Sequence, residues 1–156
     1  LLQAVAPVMA SLAAEARSKM SEFEVQQLVK MAWSFAQLLI PNKPLLQALA
    51  SSALPLMSEF SVQECENTSW ALAALYFRHG TLFSAISAQV IARIEEADVA
   101  EITSLAWAVA RLRLRDDPLL NAISSSALPS IDQLTPQGFA NLSWSNSVLG
   151  LENETL

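Results

Sequence analysis

Four tryptophans stand at positions 33, 70, 107 and 144, each 37 residues beyond the last. Other residues keep the same phase. Met20-Ser21-Glu22-Phe23 returns as Met57-Ser58-Glu59-Phe60, and the string from Ser51 to Pro55 returns two periods later at Ser125 to Pro129. Leu38, Leu75, Leu112 and Leu149 form one column, and Leu45, Leu82, Leu119 and Leu156 another. A fixed period of this length marks a repeat architecture, in which no unit can bury its own apolar faces and neighbours must cover each other. The expected fold class is therefore all-α, an α-solenoid of stacked antiparallel helical hairpins. It forms a single array over 1–156 with units near 1–43, 44–80, 81–117 and 118–154.

Each unit reads as two helices. The second, B, is expected over 25–40, 62–78, 99–114 and 136–150, after Glu24, Ser61, Asp98 and Thr135. Ser61 with Glu64 and Asp98 with Glu101 have the capping-box spacing, and Pro136 suits a first helical position. The first helix, A, is expected to start near Pro44, Thr81 and Pro118, with Asp117 as a cap. Pro55 and Pro129 should end two A helices, since proline lacks the amide a helix interior needs. Leu1 to Ala4 lies 44 residues before Leu45 to Ala48, so about seven residues are inserted between Val5 and Met20. The stretch from Leu151 to Leu156 aligns with Leu114 to Leu119, as though another A helix were beginning, and the expectation is a piece of a longer array.

The tryptophans Trp33, Trp70, Trp107 and Trp144 share one helical phase, and a buried row of rings along the stack is expected. Alanines at 32, 36, 71, 73, 106, 108 and 110 flank them and let helices approach. Asn67 and Asn141, three residues before a tryptophan, are expected to be buried hydrogen-bonding residues between units. Both belong to N-x-Ser/Thr sequons, as does Asn153, but a helix interior is a poor glycosylation site.

Composition narrows the function. No uncharged apolar run approaches the roughly 20 residues that cross a bilayer. Three glycines leave no phosphate-cradling loop, and one cysteine leaves no disulfide framework and no cysteine-based zinc site. Cys65 occupies a column filled elsewhere by Leu28, Ile102 and Phe139, which makes it core. The only histidine, His79, sits beside Gly80 in a turn with no Ser or Cys nucleophile and acid set to converge on it. Glu95-Glu96 and Asp116-Asp117 fall at helix ends, where acids serve as caps. These features point to no catalytic residues, no metal, no cofactor and no small-molecule substrate. The net charge of −6 opposes a phosphate backbone and favours a protein partner.

Phe60-Ser61-Val62-Gln63-Glu64-Cys65-Glu66-Asn67-Thr68-Ser69-Trp70-Ala71-Leu72-Ala73, together with the Pro-Leu-Leu helix starts at Pro44 and Pro118, resembles the repeat of the organellar heptatricopeptide and octotricopeptide families. Gln26, Gln63 and Gln137 match its Gln column, from which Ala100 departs; Asn67 and Asn141 match its Asn column, from which Lys30 and Ser104 depart. The resemblance implies a mitochondrial or plastid protein of algal or alveolate type that binds, stabilises or processes RNA. It also admits a structural subunit of an organellar ribosome, respiratory or photosynthetic complex.

Two groups of residues are candidates for the binding surface. On helix A, Gln3, Gln47, Ser84 and Asn121 follow a Leu-Leu or Leu-Phe pair, with Ser51 and Ser125 four residues beyond Gln47 and Asn121. Helical-repeat RNA binders read one base per unit through such side chains; a solvated face is the alternative. At the ends of B, Arg78, Arg111, Arg113 and Arg115 cluster. They either complement the helix C-termini or form an edge that contacts phosphate. The partner is thus single-stranded RNA or the protein subunits of a larger complex.

Overall fold

A computed structural model describes the backbone of residues 2–151 and the side chains of residues 5–150; Gln3, Asn153 and Leu156 fall outside the described side chains. Among the described residues the chain is all-helical, with eight α-helices: α1 (Leu2–Ser18), α2 (Val25–Gln37), α3 (Lys43–Ala53), α4 (Val62–Ala74), α5 (Gly80–Ala92), α6 (Val99–Arg111), α7 (Asp117–Ala127) and α8 (Pro136–Leu151). No helix among them is long and apolar enough to cross a membrane. Successive helices pack on each other, and two layers result. The even-numbered helices pack in chain order, α2 on α4, α4 on α6 and α6 on α8. The odd-numbered helices do the same, less closely.

The starts of the even helices are set by short polar side chains. Ser61 Oγ accepts from the Glu64 amide while Glu64 Oε2 accepts from the Ser61 amide, and Asp98 and Glu101 exchange the same pair of bonds. Gln27 Oε1 accepts from the Glu24 amide, and Thr135 Oγ1 from the Gly138 amide. The odd helices are capped one residue earlier than Asp117 would place them. Asp116 Oδ1, not Asp117, accepts from the Leu119 amide, as Asn42 Oδ1 does from Leu45 and His79 Nδ1 from Leu82. The prolines act as expected. The helices α3 and α7 stop just before Pro55 and Pro129 and continue as 3-10 turns over Leu54–Glu59 and Leu128–Gln133. The residues inserted before Met20 lengthen α1, which runs on past Pro7 to Ser18.

The ends of the even helices differ from the expected 40, 78 and 114. α2 and α6 stop three residues sooner and α4 four, because Leu39, Tyr76 and Arg113 adopt left-handed backbone (φ 52°, 52° and 50°). At each, the next residue's amide reaches back five residues: Ile40 to the Phe35 carbonyl, Phe77 to Leu72, and Leu114 to Val109, at 2.9–3.0 Å. The left-handed residue's own amide bonds Ala36, Ala73 or Ala110. This termination closes orphan carbonyls and ordinarily uses glycine. A side chain in this conformation costs about 1 kcal/mol. The three residues stand at the same 37-residue interval as the tryptophans.

The core lies between the layers. Phe35, Leu45, Leu46, Phe60, Leu72, Leu82, Ile86, Ile102, Leu105 and Ile123 are almost wholly enclosed, and so is Cys65, whose thiol burial pushes up to about 12. Ala32, Ala36, Ala71, Ala73, Ala106, Ala108 and Ala110 are buried as well. They leave no bulk between even helices, so those backbones come close.

The buried row of tryptophans does not form. Trp33 and Trp144 are exposed (43% and 41%), and Trp70 and Trp107 are half-buried with one side against the core. The small residues that let the even helices touch leave no room for an indole inside the seam, so the rings lie over its outer rim. Trp70 and Trp107 are better covered because α4 and α6 have an even neighbour on both sides.

Leu39 is 69% exposed and has little packing to lose. Leu39→Gly is expected to raise stability by about 0.5 kcal/mol at most, the relief of left-handed strain less the entropy glycine adds to the unfolded chain. Urea unfolding measures it; a destabilised variant would show that the side chain matters more than its backbone geometry.

Candidate functional site

Residues three and four apart on a helix share a face. Trp33 therefore lies with Gln26 and Lys30 on α2, Trp70 with Gln63 and Asn67 on α4, Trp107 with Ala100, Ser104 and Arg111 on α6, and Trp144 with Gln137 and Asn141 on α8. All of these are exposed or half-buried. The outer face of the even layer thus carries a row of indoles with amides beside them, two cations and one half-buried acid, Glu66, four residues before Trp70. Polar neighbours at i−7 and i−3 were the sequence signal for this: Gln26 and Lys30 precede Trp33, and Gln63 and Asn67 precede Trp70, so the ring belongs to the polar stripe.

Asn67 and Asn141 are half-buried and do not join one unit to the next. Asn67 Nδ2 donates to the Gln63 carbonyl, and Asn141 Oδ1 accepts from Gln137 Nε2, each at 2.9 Å within its own helix. A helix offers an amide the carbonyl or side chain four residues back, and that local partner displaced the inter-unit bond expected for them.

Grooves run between neighbouring even helices. The groove between α2 and α4 holds about 280 Å³ and is lined by Gln26, Lys30, Trp33, Gln63 and Asn67, with Glu64 at its side. That carboxylate is engaged with the Ser61 amide and hydroxyl at 2.9 and 2.8 Å. The groove between α6 and α8 holds about 420 Å³, lined by Trp70, Ser104, Trp107, Gln137 and Asn141 among others. The seam between them, α4 against α6, is tied across. Ser104 Oγ donates to Glu66 Oε1, and Arg111 Nε donates to the Ala73 carbonyl at 3.1 Å. The Arg111 guanidinium also lies over the Tyr76 ring (4.3 Å) and the Trp107 ring (5.0 Å).

The arginines are mostly occupied with the fold. Arg78 donates to the Arg113 carbonyl at 3.2 Å, joining successive turns, and Arg115 pairs with Asp117 at 3.3 Å. Both remain exposed. The charges divide by end. Glu22, Glu24, Glu59, Glu95, Glu96 and Asp98 gather where odd helices lead into even ones, with Arg93 among them, whereas Arg78, Arg111, Arg113 and Arg115 gather where even helices finish, with Asp116 and Asp117 among them. A 13-residue helix separates these ends by about 20 Å. Gln47, Ser51, Ser84, Asn121 and Ser125 are all exposed on the odd helices. Ser51 Oγ spends its proton on the Gln47 carbonyl at 3.0 Å, and no aromatic side chain stands among these positions. His79 serves as a cap and Cys65 as core, so neither presents a nucleophile or base to a groove.

Compared with protein-family models and with curated proteins, the chain matches none.

Glu66 supplies a pH test of the tied seam. Burial, with smaller contributions from Glu101 and Asp98, raises its pKa above the usual 4.5, against the opposing hydrogen bond from Ser104. The folded group thus binds a proton before the unfolded one does. Its contribution to stability grows as pH falls from neutral towards 4.5 and is lost as pH rises through the folded value. Glu66→Gln keeps an oxygen for Ser104 and removes the charge. It is expected to be more stable than the parent at neutral pH, with the gap closing as the medium is acidified. Urea midpoints of the two proteins across that range decide it; parallel curves would mean that the seam leaves Glu66 effectively in water.

Proposed function

We propose that the chain folds as an α-solenoid on a 37-residue hairpin repeat, with units near 1–43, 44–80, 81–117 and 118–154, and acts as a non-enzymatic module that binds single-stranded RNA in an organelle. The repeat is supported by the tryptophan spacing and by the matching left-handed terminations at Leu39, Tyr76 and Arg113. The even helices approach one another more closely than the odd ones, so such an array bends with the even layer inside. The concave surface is then the one bearing the tryptophans. The non-enzymatic reading rests on the structural occupations of His79, Cys65 and the capping acids. The organelle, mitochondrion or plastid, rests on the family resemblance alone.

One observation carries the RNA reading: a chain of net charge −6 presents a face with four accessible indoles, flanking amides, Lys30 and Arg111, on which Glu66 is half-buried and bonded to Ser104 and Glu64 is engaged with Ser61. Every base has a flat face to stack on an aromatic ring, each stack being worth about 1–3 kcal/mol. The amides add hydrogen-bonding groups for base edges. Most of the other acids sit near helix ends.

A protein scaffold is the second reading, and one region favours it. Leu128, Ile131 and Phe139 are 67%, 50% and 48% exposed around a groove of about 270 Å³ between α7 and α8. Leu28, Cys65 and Ile102, in the Phe139 column, are buried.

Trp33→Ala removes an exposed ring and should leave the fold intact. It is expected to weaken binding of an unstructured oligoribonucleotide about tenfold or more, measured by fluorescence anisotropy. With two cations on the face, log affinity should fall against log salt with a slope of about −1.4. A much steeper slope would place the contact on the arginine edge. No binding by the parent chain at low salt would leave the scaffold, for which Phe139→Asp is the variant expected to abolish partner association.

A further inference from the structure

The two open grooves of the even layer are not equivalent, and the one between α6 and α8 has the chemistry of a base-recognition site. Gln137 Nε2 donates to Asn141 Oδ1 at 2.9 Å. That bond orients both amides and leaves the Asn141 nitrogen as donor and the Gln137 oxygen as acceptor, side by side. The Watson–Crick edge of every RNA base carries a donor next to an acceptor, so this pair complements it. Trp107 supplies the flat wall. The Arg111 guanidinium is held over the same indole at 5.0 Å, with its Nε on the Ala73 carbonyl of α4, so it braces the ring from the α4 side.

Gly138 shapes the closed end. A Cβ there would meet Leu134 Cδ2 at 3.1 Å and Thr103 Cγ2 at 3.5 Å. Glycine lets α8 settle against Thr103 without a side chain in the groove wall. The cleft of about 420 Å³ can admit one base plus water. The adjoining α4–α6 seam is filled by the Ser104–Glu66 bond and offers no such opening.

We propose that the groove between α6 and α8 takes one unpaired RNA base, stacked on Trp107, with its edge on Asn141 and Gln137. This rests on the RNA reading above and deepens it: base preference is set here on the even layer and not by the polar column Gln47, Ser84 and Asn121 of the odd layer.

The test uses the full 156-residue chain and four homopolymeric oligoribonucleotides of A, C, G or U, with affinities taken from anisotropy. Asn141→Ala is compared with Asn121→Ala on the other layer, and circular-dichroism melting confirms that each variant folds as the parent does. If the proposal holds, Asn141→Ala reduces the ratio of the best to the worst affinity about tenfold, the scale of one lost base-edge contact. Asn121→Ala leaves that ratio unchanged. Should Asn141→Ala distort folding, Asn141→Gln, which keeps the amide but moves it outward, is expected to change the order of preference. An unaltered ratio in Asn141→Ala, or an altered one only in Asn121→Ala, overturns the groove assignment while RNA binding itself stands. A parent chain that binds none of the four at low salt overturns both and leaves a protein partner.

Discussion

The close approach of the even helices governs the rest of the molecule. Alanines at seven positions across α2, α4 and α6 are buried, and their small side chains let backbones meet where leucines would hold them apart. Dispersion in such a seam comes from many short contacts, each minor alone. Because the seam is narrow, larger apolar groups are sorted outward or inward. Leucines, isoleucines and phenylalanines face the odd layer and make the core. The tryptophans, too large for the seam, lie across its rim, each with one side on the protein and the other towards solvent. Packing geometry thereby produces the aromatic surface on which the proposed function depends.

The same narrowness accounts for the polar ties. A seam this close brings the Ala73 carbonyl within reach of Arg111, and Glu66 within reach of Ser104. Gln89 and Arg93 on the α5 side donate to the Phe60 carbonyl at 2.7 and 2.9 Å. These bonds join one hairpin to the next and satisfy carbonyls at element ends, where orphan groups accumulate. Arginine thus performs two jobs here. Its fork of donors ties seams, and the nitrogens left over keep positive charge near the face. An arginine edge devoted wholly to phosphate would have left the hairpins less firmly joined. One polar group has no such outlet: Ser69 Oγ, in a column where α2 and α6 have alanine, is buried with no hydrogen-bond partner among the described residues.

Charge distribution bears on how an acidic chain could take the proposed anionic ligand. Helix N-termini favour acids and C-termini favour cations, so capping draws most glutamates to one end of the even helices and arginines to the other, where Asp116 and Asp117 open α7. The outer face between them is left with amides, indoles, two cations and the half-buried Glu66 tied to Ser104. At physiological salt, charges about 20 Å away are separated by more than two screening lengths of about 8 Å. The net charge of the chain is therefore a poor guide to the field at that face.

The period, the helix starts and the helical class were legible in the sequence because they are local. A capping serine or aspartate, a proline and an apolar column act within one or two turns, and their spacing alone reveals them. The helix ends were not legible. Leu39, Tyr76 and Arg113 carry no mark of left-handed backbone, which the meeting of each even helix with the following turn imposes. Nor did the spacing show on which side of the seam the indoles lie. Their common phase was plain, but phase sets only a direction around a helix axis. Whether that direction leads to core or to solvent depends on where the neighbouring helices sit, and on how little room the alanines leave between them. The sequence by itself determined a succession of capped helices with a tryptophan in each even one. Only the packing of helix against helix decided that those aromatics, together with Gln137 and Asn141, form a surface.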